Sequence, residues 1–287
     1  MNYLLELNDV SKKYKEFQLN NISFNLEKGY IMGFIGPNGA GKSTTIKLIM
    51  NLIKKDGGQI KIFGKDYKKD EIAIKERIGF VYDENYFYED LSLLGMKNII
   101  APFYKNWDEK TFQKYIKEFN LSLKQKIKEL YKGMKMKYSL ALALSHNADL
   151  IIMDEPTSGL DPIIRNELLE ILYDIIQDED KGILFSTHNT TDLDKIADYI
   201  TFINDGKMLF SKPKDEIMNQ YKVVKGGKEA LSSDIRKKLI GVKEHNCGFE
   251  GLTINSLLLK KELKNEIIIE NATLEDIMLY TVRGNKK

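Results

Sequence analysis

Gly36-Pro37-Asn38-Gly39-Ala40-Gly41-Lys42-Ser43 spell the pattern G-x-x-x-x-G-K-[ST]. Such a stretch suits a polyphosphate: the glycines let successive backbone N–H groups turn inward with no Cβ in the way. Lys42 can then reach the β- and γ-phosphates, while the Ser43 hydroxyl can ligate Mg²⁺. A second group of reactive types lies downstream, where Leu150-Ile151-Ile152-Met153 ends in Asp154-Glu155. An apolar strand can carry two carboxylates to its C-terminal edge, where ligands bind in open α/β sheets. Adjacent strand residues point to opposite sides, so Asp154 can hold Mg²⁺, through its water shell, while Glu155 polarises an attacking water as general base. Taken alone, the same pair also reads as a strand terminus capping the next turn.

The flanking residues supply the elements that must position these groups. Tyr30 to Ile35 reads as a short buried strand, and Lys42 to Ile53 as a helix whose N-terminus adds its dipole to the phosphate site. Ile78 to Tyr82, Leu150 to Met153, Gly182 to Ser186 and Tyr199 to Ile203 are apolar runs that suit buried strands. Helical patterns over Asp161–Ile176 and Asp192–Ala197 separate the last three, which predicts a parallel, helix-covered sheet. Tyr3 to Leu26, with a loop near Lys12–Lys15, and Gln59 to Phe63, after a Gly57-Gly58 turn, predict an antiparallel layer beside it. About Asp90 to Ala143 reads as helix-rich, with Phe103, Tyr104 and Trp107 expected in its core.

Lys212-Pro213-Lys214 marks a boundary, giving residues 1–212 and an accessory 213–287. In the latter, Leu257–Leu259 and Ile267–Ile269 read as strands, and Thr273-Leu274-Glu275-Asp276 as a capping box opening a last helix. No catalytic constellation is visible there, so packing or dimerisation is expected of it.

The chain has 287 residues, 43% hydrophobic and 30% charged, with a net charge of +2, ordinary for a globular protein. That charge gives no reason to expect nucleic acid as the main partner. A single cysteine, Cys247, leaves no internal disulfide to form and suits a reducing compartment. No apolar run approaches the roughly 18 residues of a membrane span, and the N-terminus lacks the sections of a secretion signal, so a membrane role is expected to come through a partner.

Taken in order, these elements resemble the ATP-binding subunits of ABC transporters over roughly residues 1–212. Gly36 to Thr44 matches that family's Walker A loop and Asp154-Glu155 its Walker B pair. Ser158-Gly159-Leu160-Asp161 matches the D-loop that lies across the dimer interface, and His188 the switch histidine, placed to sense the γ-phosphate. Tyr14 stands where the family places an aromatic that stacks on adenine; by itself it also reads as an exposed loop tyrosine. Asp161 before Pro162 is also a good helix start. His146 and His245 have no such match and are expected to be structural.

The resemblance implies an α/β fold with a P-loop NTPase core, a parallel sheet, an antiparallel β layer, a helical subdomain at about 84–145 and a small α+β C-terminal domain. It implies ATP and Mg²⁺ as cofactors, a second ATPase subunit, identical or homologous, and a membrane-spanning subunit that holds the chain on the cytoplasmic face. The aromatic and acidic stretch Tyr82–Leu91 falls where the family forms a groove for a helix of that membrane subunit.

Two departures bear on mechanism. Asp83 replaces the family's usual glutamine near Mg²⁺ and water. Leu130-Tyr131-Lys132-Gly133-Met134 replaces Leu-Ser-Gly-Gly-Gln, whose serine and backbone N–H groups bind the γ-phosphate held by the opposite subunit. Tyr131 is far bulkier than serine, and Lys132 compensates only with a flexible charge, so a weakened signature donor is expected. The length, the acid at 83 and the Leu274–Ile277 element resemble Gram-positive exporters of antimicrobial or toxic peptides. A soluble ABC ATPase acting in repair, translation or cofactor assembly is the alternative, and a small-molecule kinase is disfavoured by the Glu155 and His188 matches.

Overall fold

The computed structural model describes residues 3–82, 87–263 and 266–284. It divides into two compact units, Met1–His188 with Lys195–Ser211, and Asn189–Asp194 with Lys212–Lys287. In chain order the first stretch carries β1 (Tyr3–Lys13), β2 (Gln18–Glu27), β3 (Ile31–Ile35), α1 (Lys42–Ile49), β4 (Gly57–Ile62), α2 (Tyr67–Lys75) and β5 (Ile78–Val81). Helices α3 (Leu93–Ile100), α4 (Glu109–Glu118) and α5 (Lys132–Leu144) follow, then β6 (Leu150–Asp154), α6 (Pro162–Ile176), β7 (Gly182–Thr187), α7 (Thr190–Ile196), β8 (Tyr199–Asn204) and β9 (Lys207–Pro213).

Among the described residues, nine strands form one sheet in the order β4-β1-β2-β9-β8-β3-β7-β6-β5. Strands β5, β6, β7, β3 and β8 pair in parallel, while β1 pairs antiparallel with β2 and β4. The antiparallel strands join the parallel ones through a short parallel contact, Asn20 opposite Lys207. Every residue of β3 and β7 is buried, as expected of parallel strands covered on both faces. The alternating burial of β2 marks a strand with one wetter face.

Helix α1 stops at Ile49, four residues short of the sequence expectation. Asn51 adopts a left-handed φ of 54°, and the Leu52 and Asn51 amides donate to the Lys47 and Leu48 carbonyls at 2.9 and 3.1 Å. This closes the helix with a Schellman motif centred on asparagine, a signal that apolar periodicity passes over. Gly57-Gly58, expected as a turn before β4, is the strand's own beginning. Phe103, expected in the core, is 76% exposed; it lies on a single 3₁₀ turn after α3, none of whose three residues is buried. Trp107 rests on Phe112 at 5.4 Å between ring centroids and donates to Glu109 at 3.1 Å.

The second unit contains α8 (Lys214–Gln220), β10 (Lys222–Gly226), α9 (Ser233–Lys237), β11 (Ile240–His245), β12 (Gly248–Thr253), α10 (Ser256–Leu263), β13 (Ile267–Asn271) and α11 (Leu274–Gly284). Its four strands pair antiparallel in the order β11-β12-β10-β13 over a small core of Val224, Ala230, Ile235, Leu239, Phe249 and Leu259. Leu257–Leu259 is helical, contrary to the strand expectation. Only Leu259 of the three is buried, and the Leu258 and Leu259 amides donate to the Asn255 carbonyl at the helix start. Three leucines in a row carry no period, so pattern alone leaves helix and strand open. The capping box at α11 is formed: Thr273 N–H donates to Asp276 Oδ2 at 3.0 Å, and Asp276 N–H to Thr273 Oγ1 at 3.1 Å.

Candidate nucleotide site

Strand register assembles the site. Ile35 stands opposite Thr187, and Asp154 opposite Ser186. The chain leaves β3, β6 and β7 at the same edge, so residues far apart in sequence meet there. The loop from β3 to α1 ends in Gly41 at φ 114°, a conformation closed to residues with a Cβ. Gly41 caps α1 without any side-chain bond, which leaves the first amides of the helix directed at the site for an anion. Inside the helix, Thr45 Oγ1 donates to the Gly41 carbonyl at 2.9 Å, so its hydroxyl is spent on structure.

A cavity of about 620 Å³ opens here, lined by Asn38, Gly39, Gly41, Lys42, Ser43 and Thr44 from the loop and helix, with Phe17, Glu155, Ser158 and His188 across it. Gly36 and the buried Ala40 are not among the lining residues; a Cβ on Gly36 would come within 2.3 Å of the Ile203 carbonyl oxygen. Lys42, only 6% exposed, donates to the Gly36 carbonyl at 2.8 Å and pairs with Glu155 Oε1 at 3.1 Å. The other carboxylate oxygen, Oε2, lies 2.8 Å from His188 Nδ1 and accepts from the His188 backbone N–H at 3.2 Å. The tautomer that fits this geometry has its proton on Nδ1, facing the carboxylate. Glu155 itself adopts φ 48°, uncommon for a residue with a side chain. Its amide donates to the Ser186 carbonyl at 3.0 Å, and its side chain is held from both sides.

The remaining expected residues divide in two. Asp154, half-buried at the end of β6, is not among the residues that line the cavity; it accepts from Ser186 Oγ at 2.8 Å. Ser158 follows on the loop that leads to α6, where Asp161 Oδ1 accepts from the Ile163 and Ile164 amides at 3.0 and 3.1 Å with Pro162 in the first turn. Tyr131, Lys132, Gly133 and Met134 start α5 and do not line this cavity. Gly133 is buried against α6, where a Cβ would come within 2.8 Å of Ile164 Cγ2, and the Lys132 stem lies along Gly159. Tyr131 is 62% exposed and makes no side-chain cap bond to α5. Asp83 lies outside the described residues.

Tyr14 is exposed and does not line the cavity; its amide donates to the Phe17 carbonyl at 2.8 Å, and Lys12 Nζ stands 5.7 Å from its ring centre. Phe17, which does line it, was not singled out in the sequence. Both aromatics belong to one tight β1–β2 turn, and only the path of that turn selects which faces the loop. The Ser186–Asp154 bond leaves no signal in the sequence, because it depends on the pairing of β6 with β7.

The glycine loop, Glu155 and the histidine converge on one cavity, with Asp154 beside Glu155 at the strand end, and this is the arrangement of an ATP-binding cassette. The profile of the ABC transporter family matches residues 19–158. The chain is 31% identical over 250 residues to the bacitracin transport ATP-binding protein BcrA of Bacillus licheniformis, covering 85% of this chain and 80% of that protein. The chain belongs to the ABC transporter ATP-binding family. It is also 33% identical over 215 residues to the lantibiotic transport ATP-binding protein SrtF of Streptococcus pyogenes, covering 74% of this chain and 92% of the relative. The solved structure of an ATP-binding subunit of an ABC transporter superposes with a TM-score of 0.69 at 29% identity, covering 76% of this chain and 92% of that one. This ABC ATPase therefore binds ATP, and family members hydrolyse it to power transport.

A second cavity, about 370 Å³, opens in the same unit and is lined by Phe80, Tyr82, Phe87, Met96, Tyr104 and His146 among others. His146 stacks on Tyr104 at 3.8 Å, and its Nδ1 lies 3.2 Å from the Glu76 carbonyl. Burial pushes its pKa down to about 4, only partly opposed by that carbonyl. Phe87 packs edge-on against the buried Tyr138, whose hydroxyl donates to the Leu93 carbonyl at 2.7 Å. Among the described residues no helix is long and apolar enough to cross a membrane.

Proposed function

We propose that this chain is the motor subunit of an exporter, in which two ATPase subunits close over MgATP and drive a membrane-spanning partner. The observation that carries this reading is the junction of Lys42, Glu155 and His188 at the mouth of the phosphate loop. Lys42 would exchange Glu155 for β- and γ-phosphate oxygens, releasing one carboxylate oxygen to take a proton from the attacking water. His188, still bonded to Glu155, would sense the γ-phosphate. Ser43 and Asp154 fit Mg²⁺, a hard cation that keeps most of its water and takes few protein oxygens; the ion would neutralise charge on the β- and γ-phosphates. Asp83 is assigned to the same ion from sequence alone. Tyr131, Lys132, Gly133 and Met134, with Ser158 and Asp161, would face the nucleotide of the opposite subunit, Tyr131 making this chain a weak donor.

The aromatic cavity at Phe87 suits the apolar side of a short partner helix, since aromatic anchors dominate such contacts. That partner would hold the chain on the cytoplasmic face of the membrane. Residues 1–212 would act as the ATPase domain and 213–287 as an accessory domain. Bacitracin and lantibiotic transport in the relatives supports antimicrobial peptides as the cargo class. Extraction in mild detergent tests the whole: the chain is expected to co-purify with a membrane subunit whose presence raises its ATP turnover. Recovery of fully active ATPase from the aqueous fraction without that subunit would overturn the reading.

A further inference from the structure

The structure assigns to Ser186 a role in positioning the acid pair at the end of β6: it holds Asp154 for metal and Glu155 for water activation. Ser186 is completely buried on β7 and touches both acids, through different atoms. Its Oγ donates to Asp154 Oδ1 at 2.8 Å. Its backbone carbonyl accepts the Glu155 amide at 3.0 Å. The pairing of Asp154 with Ser186 places the two residues side by side at the strand ends.

The two contacts act differently. The carbonyl contact belongs to the backbone and survives substitution; it helps hold Glu155 at its left-handed φ of 48°. The hydroxyl contact belongs to serine. A carboxylate with one oxygen tied to a buried donor cannot rotate freely. Asp154 thus has less rotational freedom to lose when a hydrated cation arrives. Partners of metal-binding groups typically tune affinity or activity by about 10–100-fold. Ser186 is a positioning residue, because it acts through Asp154 and touches no substrate.

This inference rests on the reading that Asp154 serves Mg²⁺, and the experiment separates the two. Binding of Mn²⁺ to the full chain, loaded with a non-hydrolysable ATP analogue, is followed by electron paramagnetic resonance. Asp154→Asn is expected to abolish the tight phase; if it does not, the metal reading of Asp154 falls, and Ser186 with it. Ser186→Ala is expected to weaken Mn²⁺ binding about tenfold or more, while metal-free analogue binding stays within about twofold. Ser186→Thr, which keeps the hydroxyl, is expected to restore most of the affinity. If Ser186→Ala binds Mn²⁺ like the parent while Asp154→Asn does not, Ser186 has no such role. Equal losses in the alanine and threonine variants, or a matching loss of metal-free binding, would make its contribution packing alone. Should the alanine variant fail to fold, Ser186→Cys, a weak donor of similar size, is read by the same titration with the same two outcomes.

Discussion

The start of α1 and the start of α5 are both helix N-termini proposed above to serve phosphate, yet this chain has built them differently. At α1, every approach to the anion is in place: a glycine cap with no competing side chain, a buried lysine, and a carboxylate and histidine across the cavity. At α5, Tyr131 stands exposed with no cap bond, and the backbone behind it is packed tightly on Ile164. The contrast teaches that the two helix starts are built by different means. The residues proposed to hold the chain's own nucleotide are brought together by strand register, whereas those proposed to face a second subunit begin with a single exposed residue, Tyr131, at the start of α5.

The largest effect that would break this comparison is at the first site. Glu155→Gln is expected to lower steady ATP turnover by about 10²–10⁴-fold, the usual range for a general base, while labelled ATP is retained; phosphate release and nucleotide retention measure the two. Near-parent turnover would remove Glu155 as the base. The next effect concerns the far end of α5, where the chain is as buried as its beginning is exposed. His146 has a pKa of about 4 in the fold, below the ordinary 6.5, so the unfolded chain binds the extra proton first. Its contribution is therefore complete above about pH 6.5 and lost as pH falls toward 4, on the order of 3 kcal/mol in all. Urea titrations across that window should show the loss, and His146→Gln should flatten the slope.

Smaller effects sharpen the contrast at the start of α5. Tyr131→Ser restores a short hydroxyl where a γ-phosphate would lie, and hydrogen bonds to charged groups contribute about 1.5–3 kcal/mol. Turnover of a complex containing two copies of this chain is expected to rise by up to about tenfold; no change in the membrane-partnered complex would show that Tyr131 is no handicap. Asp161→Ala removes the two amide bonds that start α6, at a cost of about 1 kcal/mol measured by thermal unfolding, with nucleotide affinity of the isolated subunit unchanged. A large loss of affinity there would tie the α6 cap to the first site as well.

Chemistry written in consecutive residues was legible without coordinates. The glycine loop, the acid pair after four apolar residues, the histidine after a buried run and the Thr273–Asp276 cap all lie within short windows, where residue types and spacing can be read without knowing the packing. Buried parallel strands were legible for a related reason: cover on both faces leaves a continuous apolar run. What sequence left open needed partners distant along the chain. The choice of helix for Leu257–Leu259, the exposure of Phe103, and Phe17 rather than Tyr14 at the cavity wall each depend on which neighbour packs where. The Lys42–Glu155–His188 junction and the Ser186 bond to Asp154 depend on strand register, which brings residues 30 or more positions apart within 3.1 Å. Residue types decided by themselves which groups could handle a phosphate and a metal; only the tertiary pairing decided which oxygen each group spends on its neighbours and which it keeps for the nucleotide, because that choice is made by distance.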